Sequence, residues 1–405
     1  GRPLGIAIPP FNPDGVSGPE LDYSRQIVRI LTHDLQLYGF FAFVKNETFL
    51  REASAADAKA GQIVFKEWAE IGAQMLVKGS YQVADGQVVI NARLFDVDRG
   101  LQITGRRYTG PPTAIRLMVH KFADEIIYRL TGEPGIAQTK IAFTSRQRGN
   151  KEIFIMDYDG HNPQQVTADR TIALNPAWSP NGRFIAYTSY RERNPDLFVM
   201  DWTGWNKRVL SRAAGLNAAP AWHPDGQRLA VVMSLEGDTE IYVVRVDGQI
   251  VQRLTRNRRI IDTSPTWSPN GRQLAFVSDR SGTPQIYVMD ADGTNIRRLT
   301  FEGAYNADPV WSPKGDRIAF VSRRDGPFDV YTMNPDGTGV IQLTSGQGSN
   351  ESPAWSPDGR YLVFSSTRAR GIPDLYLMRA DGSAQRRLTY LAGGGSDPVW
   401  SPRLE

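Results

Sequence analysis

The chain has 405 residues, 40% hydrophobic and 22% charged, with 38 Gly, 26 Pro, no Cys and a net charge of +4. That length accommodates roughly two or three domains, and the Gly and Pro content fits a turn-rich, largely β protein. The lack of Cys excludes disulfides, zinc thiolates and thiol nucleophiles; no apolar run approaches the ~20 residues that span a bilayer, and no Lys/Arg run beside stacking aromatics marks a nucleic-acid surface.

In chain order, Leu4-Gly-Ile-Ala-Ile-Pro9 reads as a strand closed by Pro9-Pro10. A Pro/Gly-rich loop to Pro19 leads into a helix ending near Tyr38, with Ile27, Ile30, Leu31, Leu35 and Tyr38 as its apolar stripe and Gly39 as its stop. Phe40–Val44 is a short strand, and Ile63–Gly72 is a second helical stretch with Val64, Trp68 and Ile71 on one face. Gln74–Val83, Val88–Val97 and Leu101–Tyr108 form three strands, joined at Asp85-Gly86 and Arg99-Gly100. A helix from Thr113 to Leu130 follows, its core face made of Ile115, Met118, Val119, Phe122, Ile126 and Leu130. The order predicts an α/β domain with a mixed sheet over residues 1–132, and Gly132-Glu-Pro-Gly135 opens a linker over 133–138.

Residues 139–405 are organised by a repeat. Trp recurs at 178, 222, 267, 311, 355 and 400, always with Pro two residues before and two after. Each unit carries a strand around the Trp, a Ser-Pro-Asp/Asn-Gly turn, a second strand such as Phe184–Ser189, a third such as Gln285–Asp290, and a fourth such as Arg297–Thr300. Between third and fourth strands stands an Asp-Gly pair (Asp292-Gly293), which suits a type I′ turn. A period of this length with four strands per unit is that of a β-propeller blade. The second strand occurs six times from residue 141 onward, whereas the Trp strand starts late and ends at Pro398-Val-Trp400. Six blades follow, the last residues supplying the innermost strand of the first blade and so removing an exposed sheet edge. Outer strands carry Arg297-Arg298 and Arg386-Arg387, charges that discourage edge pairing. The fold class is therefore mainly β: a six-bladed propeller preceded by a smaller α/β domain.

Turn chemistry sorts the two faces. The Ser-Pro-Asp-Gly and Asp-Gly turns share one face, the bottom, and are near copies of one another. The top receives loops that differ between blades, where binding usually resides. Around the mouth of the channel lie Leu174, Asn175, Leu216, Asn217, Ala219, Asp262, Thr263, Ser264, Asn306, Asp308, Asn350, Glu351, Ser396 and Asp397. Outside them stands a collar that includes Arg191, Arg280, Arg323 and Arg368, suited to an acidic protein or peptide segment or, in the bland reading, to solvation alone.

Catalytic and metal signals are thin. The six Trp are expected to pack blade against blade. Asp157, Asp290 and Asn334 each open an x-Asp-Gly turn that resembles the start of a calcium loop, but the downstream Glu is missing. The four His (33, 120, 161 and 223) share no repeat phase, and His223 replaces Ser in one Trp-Ser-Pro copy. No Gly-x-Ser-x-Gly elbow, P-loop or dinucleotide fingerprint is present, and no catalytic residue, metal ligand or cofactor is assigned. A hydrolase or lyase with its site in the channel remains the alternative to a binding protein; it would need a channel-facing His/carboxylate cluster or a nucleophile with a paired base, which the repeat phases do not supply.

Pro353-Ala-Trp-Ser-Pro-Asp-Gly-Arg360, Leu362–Ser366 and Asp374–Met378 look like the WSPDG-type propeller repeat, which peptidases and lyases also use. Combined with the opening Gly1-Arg-Pro-Leu-Gly-Ile-Ala-Ile-Pro-Pro-Phe11 and the short linker, the whole chain resembles the TolB family of the Tol-Pal system of Gram-negative bacteria. The resemblance implies a periplasmic adaptor, not an enzyme. It would bind Pal, the peptidoglycan-associated lipoprotein, through the propeller top and engage TolA through a segment preceding the Gly-Arg-Pro strand. Family members support outer-membrane invagination in division and envelope integrity, and colicin-type peptides enter the same mouth. Pal-sensitive family positions match Leu216, Ala219 and Thr263. Nothing precedes Gly1 here, so the expectation is a mature exported chain that lacks the TolA-binding segment and the signal peptide.

Overall fold

The computed structural model describes residues 3–16, 18, 22–45 and 63–404. The Gly1-Arg2 opening and the Pro19 end of the predicted loop lie outside these residues. The chain folds as two compact units, Gly1–Gln138 and Thr139–Glu405.

The first unit contains β1 (Leu4–Ala7), β2 (Asn12–Pro13), α1 (Asp22–Gln36), β3 (Phe41–Phe43), α2 (Phe65–Glu70), β4 (Met75–Ala84), β5 (Gln87–Asp96), β6 (Leu101–Gly110) and α3 (Ile115–Thr131). Its sheet has the order β3-β1-β4-β5-β6, with β2 pairing alongside β4. β1 is parallel to β3 and β4, while β4, β5 and β6 are antiparallel, so the sheet is mixed as expected. The short β2 went unread because Pro13 breaks the strand pattern. Asp85 (φ 51°) and Gly86 (φ 71°) both take positive φ, which makes the β4–β5 connection a two-residue type I′ hairpin.

Alternation on β5 buries Val88, Ile90, Ala92 and Leu94 on one face. α3 packs on β5 and β6 and against α1, whose stripe Ile27, Ile30, Leu31 and Leu35 is buried. Each such side chain contributes about 1.5–3 kcal/mol by leaving water. The interface also holds polar groups that periodicity did not reveal. His120 Nδ1–H donates to the buried Asp34 Oδ2 at 2.6 Å, and Arg116 donates to His120 Nε2 at 3.2 Å, which fixes the tautomer. Asp124 on α3 accepts from Ala137 N, Gln138 N and Gln138 Nε2, and so ties the segment after Gly132 back to its own unit. Burial pushes its carboxyl up to about 6, against the pull of those three donors.

The second unit is a ring of six four-stranded antiparallel sheets. Second strands are buried on both faces, as in Phe320 and Val321 of Ile318–Arg323, because each blade is packed between two others. One such layer joins Ala142, Ile153 and Ile155 to Trp178, Ile185, Tyr187, Phe198 and Met200. The ring closes as the repeat count requires: Ser396–Trp400 pairs with Lys140–Arg148, with Val399 opposite Ala142 and Trp400 opposite Ile141. Trp side chains tie neighbouring blades. Trp222 Nε1 donates to Ala177 O at 3.1 Å, Trp267 to Ala221 O at 3.2 Å and Trp355 to Val310 O at 3.1 Å.

Bottom turns follow their chemistry with one difference. In the Asp290–Thr294 connection Gly293 N donates to Asp290 O, Asp290 N donates to Thr294 O, and only Gly293 has positive φ. This is a type I turn with a Gly bulge and not the type I′ expected, because Asp292 keeps negative φ and uses its carboxylate to accept from Thr294 N and Oγ1. Asp290 accepts from Asn295, Asp157 from Asn162, and Asn334 Nδ2 donates to Thr338 Oγ1; the turn's own residues satisfy the groups that resembled a calcium loop. His223 plays the part of the missing Ser: its Nδ1 accepts from Asp225 N at 3.1 Å while its ring stands edge-on to Trp267.

Candidate functional site

The residue before the Pro of each Pro-x-Trp sets the shape of the channel wall. A residue that precedes Pro is pushed out of the right-handed helical region. In all six inner strands it takes the left-handed one instead: Asn175 (φ 53°), Ala219 (48°), Ser264 (49°), Asp308 (48°), Ser352 (51°) and Asp397 (50°). The ladder register shifts at each of these places, so every blade carries a β-bulge there. None of the six is Gly, and each costs on the order of 1 kcal/mol that the surrounding blade must offset. Six strained, bulged residues in the same phase of the repeat line the channel, and they form the candidate site.

Its side chains converge. Asp308, Ser352 and Asp397 come from three successive blades, yet Ser352 Oγ lies 3.5 Å from Asp308 Oδ2 and 3.4 Å from Asp397 Oδ1. Such contact across blades is made inside the channel. Glu351 is the neighbour of Ser352 and holds Ser349 Oγ; Asp397 accepts from Ser396 Oγ at 3.0 Å. Confinement in the channel pushes the Asp308 carboxyl up to about 6, with Asp397 and Glu351 raising it further and the Ser352 N–H and hydroxyl opposing them. The mouth is thus rich in acceptors near its axis. A recess of about 620 Å³ opens beside it, at the seam between last and first blades, walled by Thr144, Arg146, Lys151, Glu351, Ser352 and Asp397 among others.

The structure divides the sequence-predicted mouth residues into two groups. Asn217, Asp262, Asn306 and Asn350 sit five residues before their Trp and are fully buried as braces. Asn217 Nδ2 donates to Ala213 O at 2.8 Å, Asn306 Nδ2 to Gln285 Oε1 at 2.8 Å, and Asn350 Nδ2 to Asp329 Oδ1 at 3.0 Å. Leu174, Asn175, Leu216, Ala219, Thr263, Ser264, Asp308, Glu351, Ser396 and Asp397 are only partly buried and keep surface at the top. Ser352 belongs with this second group and was missed. Its position three residues before Trp355 was the available signal, since the same phase had given Asn175, Ala219, Ser264, Asp308 and Asp397.

The arginine collar differs from the one expected, because most of its members are engaged. Arg280 donates to the buried Asp262 Oδ1 at 3.0 Å and lies 4.9 Å from the Tyr287 ring. Arg368 donates to Ser366, Gln385 and Asn350 and covers Tyr376. Arg191 lies over Phe198 and 3.8 Å from Asp169. These three guanidinia brace strands. Arg323 is exposed and pairs with no carboxylate among the described residues.

Of the four His, His223 and His161 sit at bottom turns of the propeller, and His33 and His120 belong to the first unit. The carboxylate trio is more than sequence phase suggested, since it forms only when the bulges turn Asp308 and Asp397 toward one axis. Ser352 there faces carboxylates at long range, with no basic ring beside it. Among the described residues no helix is long and apolar enough to cross a membrane.

Comparison with known proteins covers both units. A sequence model of the TolB amino-terminal domain matches residues 1–103, and one of the TolB beta propeller domain matches residues 127–404. Similar curated proteins include the Tol-Pal system protein TolB of Geobacter sulfurreducens, 45% identical over 173 residues (42% of this chain, 39% of that protein). That of Desulfosudis oleivorans is 41% identical over 182 residues (45% of this chain, 42% of that protein). In these alignments the chain spans about two-fifths of the length of the curated relatives it matches. The crystal structure of TolB from Acinetobacter baumannii superposes with a TM-score of 0.81 at 30% identity, covering 99% of this chain and 97% of that one. A chain of the nidogen/laminin complex reaches a TM-score of 0.54 at 14% identity over 66% of this chain and all of its own, a likeness of propeller fold alone.

Proposed function

The chain belongs to the TolB family, and from that premise we propose that it is a non-enzymatic periplasmic adaptor whose propeller mouth binds Pal, the peptidoglycan-associated lipoprotein. In this reading it links Pal to TolA and supports outer-membrane invagination during division and outer-membrane integrity. Colicin-type peptides would compete for the same mouth. The observation that carries the proposal is the correspondence over both units to proteins of the Tol-Pal system, in a chain whose top face alone varies from blade to blade.

The site geometry fits protein recognition. The mouth wall is shaped by six bulges and presents Asn175, Thr263, Ser264, Asp308, Glu351 and Asp397 as polar groups, with the methyl of Ala219 leaving room for an incoming segment. Leu216 and Ala219 on one blade and Thr263 on the next give an uncharged side to this mouth. Substituting Ala219→Arg and Thr263→Arg together places two long cations there. We expect calorimetric titration with the soluble Pal domain to give one-to-one saturation for the parent chain and none for the double variant, with melting temperature retained. Equal affinity in both would move the site off the mouth, and no binding by the parent at high micromolar concentration would remove the reading.

A further inference from the structure

Four arginines of the propeller obey its repeat. Each follows the last Ser of a second strand by two residues: Arg191 after Ser189, Arg280 after Ser278, Arg324 after Ser322 and Arg368 after Ser366. Each lies over an aromatic ring of its own blade, at 5.6 Å from Phe198, 4.9 Å from Tyr287, 4.8 Å from Tyr331 and 4.7 Å from Tyr376. Their polar ends are occupied, Arg324 by Glu302 at 2.6 Å and the others as described above. A feature that recurs with the fold period serves the fold.

Arg323 is out of phase. It ends the strand Ile318–Arg323 and stands directly opposite Tyr305 in the register of its blade. The inner strand here begins at Tyr305, six residues before its Trp, whereas the others begin at most five before theirs. That extra residue builds a clamp. The Arg323 guanidinium lies 5.8 Å from the Tyr305 ring and 5.5 Å from the Phe328 ring, and the two rings meet edge to face at 5.3 Å and 82°. No carboxylate pairs with it among the described residues, and it is exposed. Rings that fix the guanidinium while its N–H edge stays free give a preorganised, planar fork, the donor geometry that matches a carboxylate.

We infer that Arg323, clamped by Tyr305 and Phe328 on the top rim, is a recognition site for an Asp or Glu side chain of the protein partner. The inference rests on the partner-binding reading above and gives its chemistry at one point. A lone guanidinium beside Asp325 and the Glu302–Arg324 pair suits a monoanion and disfavours phosphate or nucleic acid. The blade's bulge residue Asp308 lies three positions beyond Tyr305 on the inner strand, so a segment held at Arg323 is led toward the channel.

The test is calorimetric titration of the full chain with the soluble Pal domain at two salt concentrations. Arg323→Gln should weaken binding about tenfold and flatten its salt dependence, with Arg323→Lys intermediate and Arg323→Glu weaker still. Arg245→Gln, at an exposed arginine of a bottom turn, should change affinity less than about twofold. Melting temperatures should match the parent; if that of Arg323→Glu falls, the Gln and Lys variants decide. Charge reversal of one partner Asp or Glu to Lys should restore binding to Arg323→Glu. Parent-like affinity in Arg323→Gln and Arg323→Glu, beside a parent that binds, overturns the carboxylate site and leaves the adaptor reading standing. A parent that does not bind overturns both.

Discussion

Asp308→Asn tests the account of the channel most directly. The parent carboxyl is raised from 3.8 to about 6 by its confinement and by Asp397 and Glu351. In full, that rise is a penalty of roughly 3 kcal/mol on the ionised form. Water in the open mouth screens part of it, so about 1–2 kcal/mol is the expected effect. The amide keeps the shape, can still accept from Ser352 N, and tolerates the left-handed backbone, as Asn175 already does at φ 53° in the equivalent place. A group whose folded pKa is raised binds its proton more tightly when folded, so the parent loses stability as pH climbs from about 4 to 6 and regains it on acidification. The variant lacks this dependence. Calorimetric melting of the propeller transition should therefore show the variant higher by about 3–6 °C at pH 7.5. The difference should fall to about half near pH 5 and be small by pH 4. A variant no more stable than the parent at pH 7.5, or a gap that does not close with acid, would refute the claim that these three carboxylates crowd one another.

Two further outcomes follow from bracing and closure. Arg280→Ala strips the guanidinium from the fully buried Asp262, leaving Asn257 Nδ2 at 2.9 Å, and should cost about 3 kcal/mol in urea unfolding; a loss under about 0.5 kcal/mol would return Arg280 to the solvated collar. Gly160→Ala places a Cβ 2.4 Å from the backbone oxygen of Leu388 at φ 91°, where first blade meets last, and should cost about 2–3 kcal/mol. Gly149→Ala, at φ 99° with open space, should cost only about 1 kcal/mol, so equal losses at the two sites would remove the seam contact from the explanation.

Much of the architecture was legible because it is written periodically. Trp with flanking Pro at a blade-length spacing fixes six inner strands, and counting second strands against Trp strands requires the C-terminal strand to close against the first blade, where the structure sets Trp400 opposite Ile141. Helix stripes in the first unit were read the same way, from Ile27 to Leu35 and from Ile115 to Ile126. Polar groups do not announce themselves so. Asp34 and His120 are 86 positions apart and become a buried pair only when α1 meets α3.

The candidate site shows the same division. Local turn chemistry placed the variable loops on the top face, and Asn175, Ala219, Asp308 and Asp397 were found there by their phase to Trp. Sequence alone could not tell Asn350, a buried brace, from Glu351, which keeps its surface, because burial depends on what the next blade presents. Nor could it separate Arg280, tied to Asp262, from Arg323, held by rings and paired with no carboxylate among the described residues, since both stand where a second strand gives way to a top loop. Periodicity is a property of one chain segment and its neighbours, so the sequence determined strands, turns, blade count and the faces of the ring. Which side chains converge, which charges cancel and which remain free are properties of distances between blades, and only the closed ring decided them.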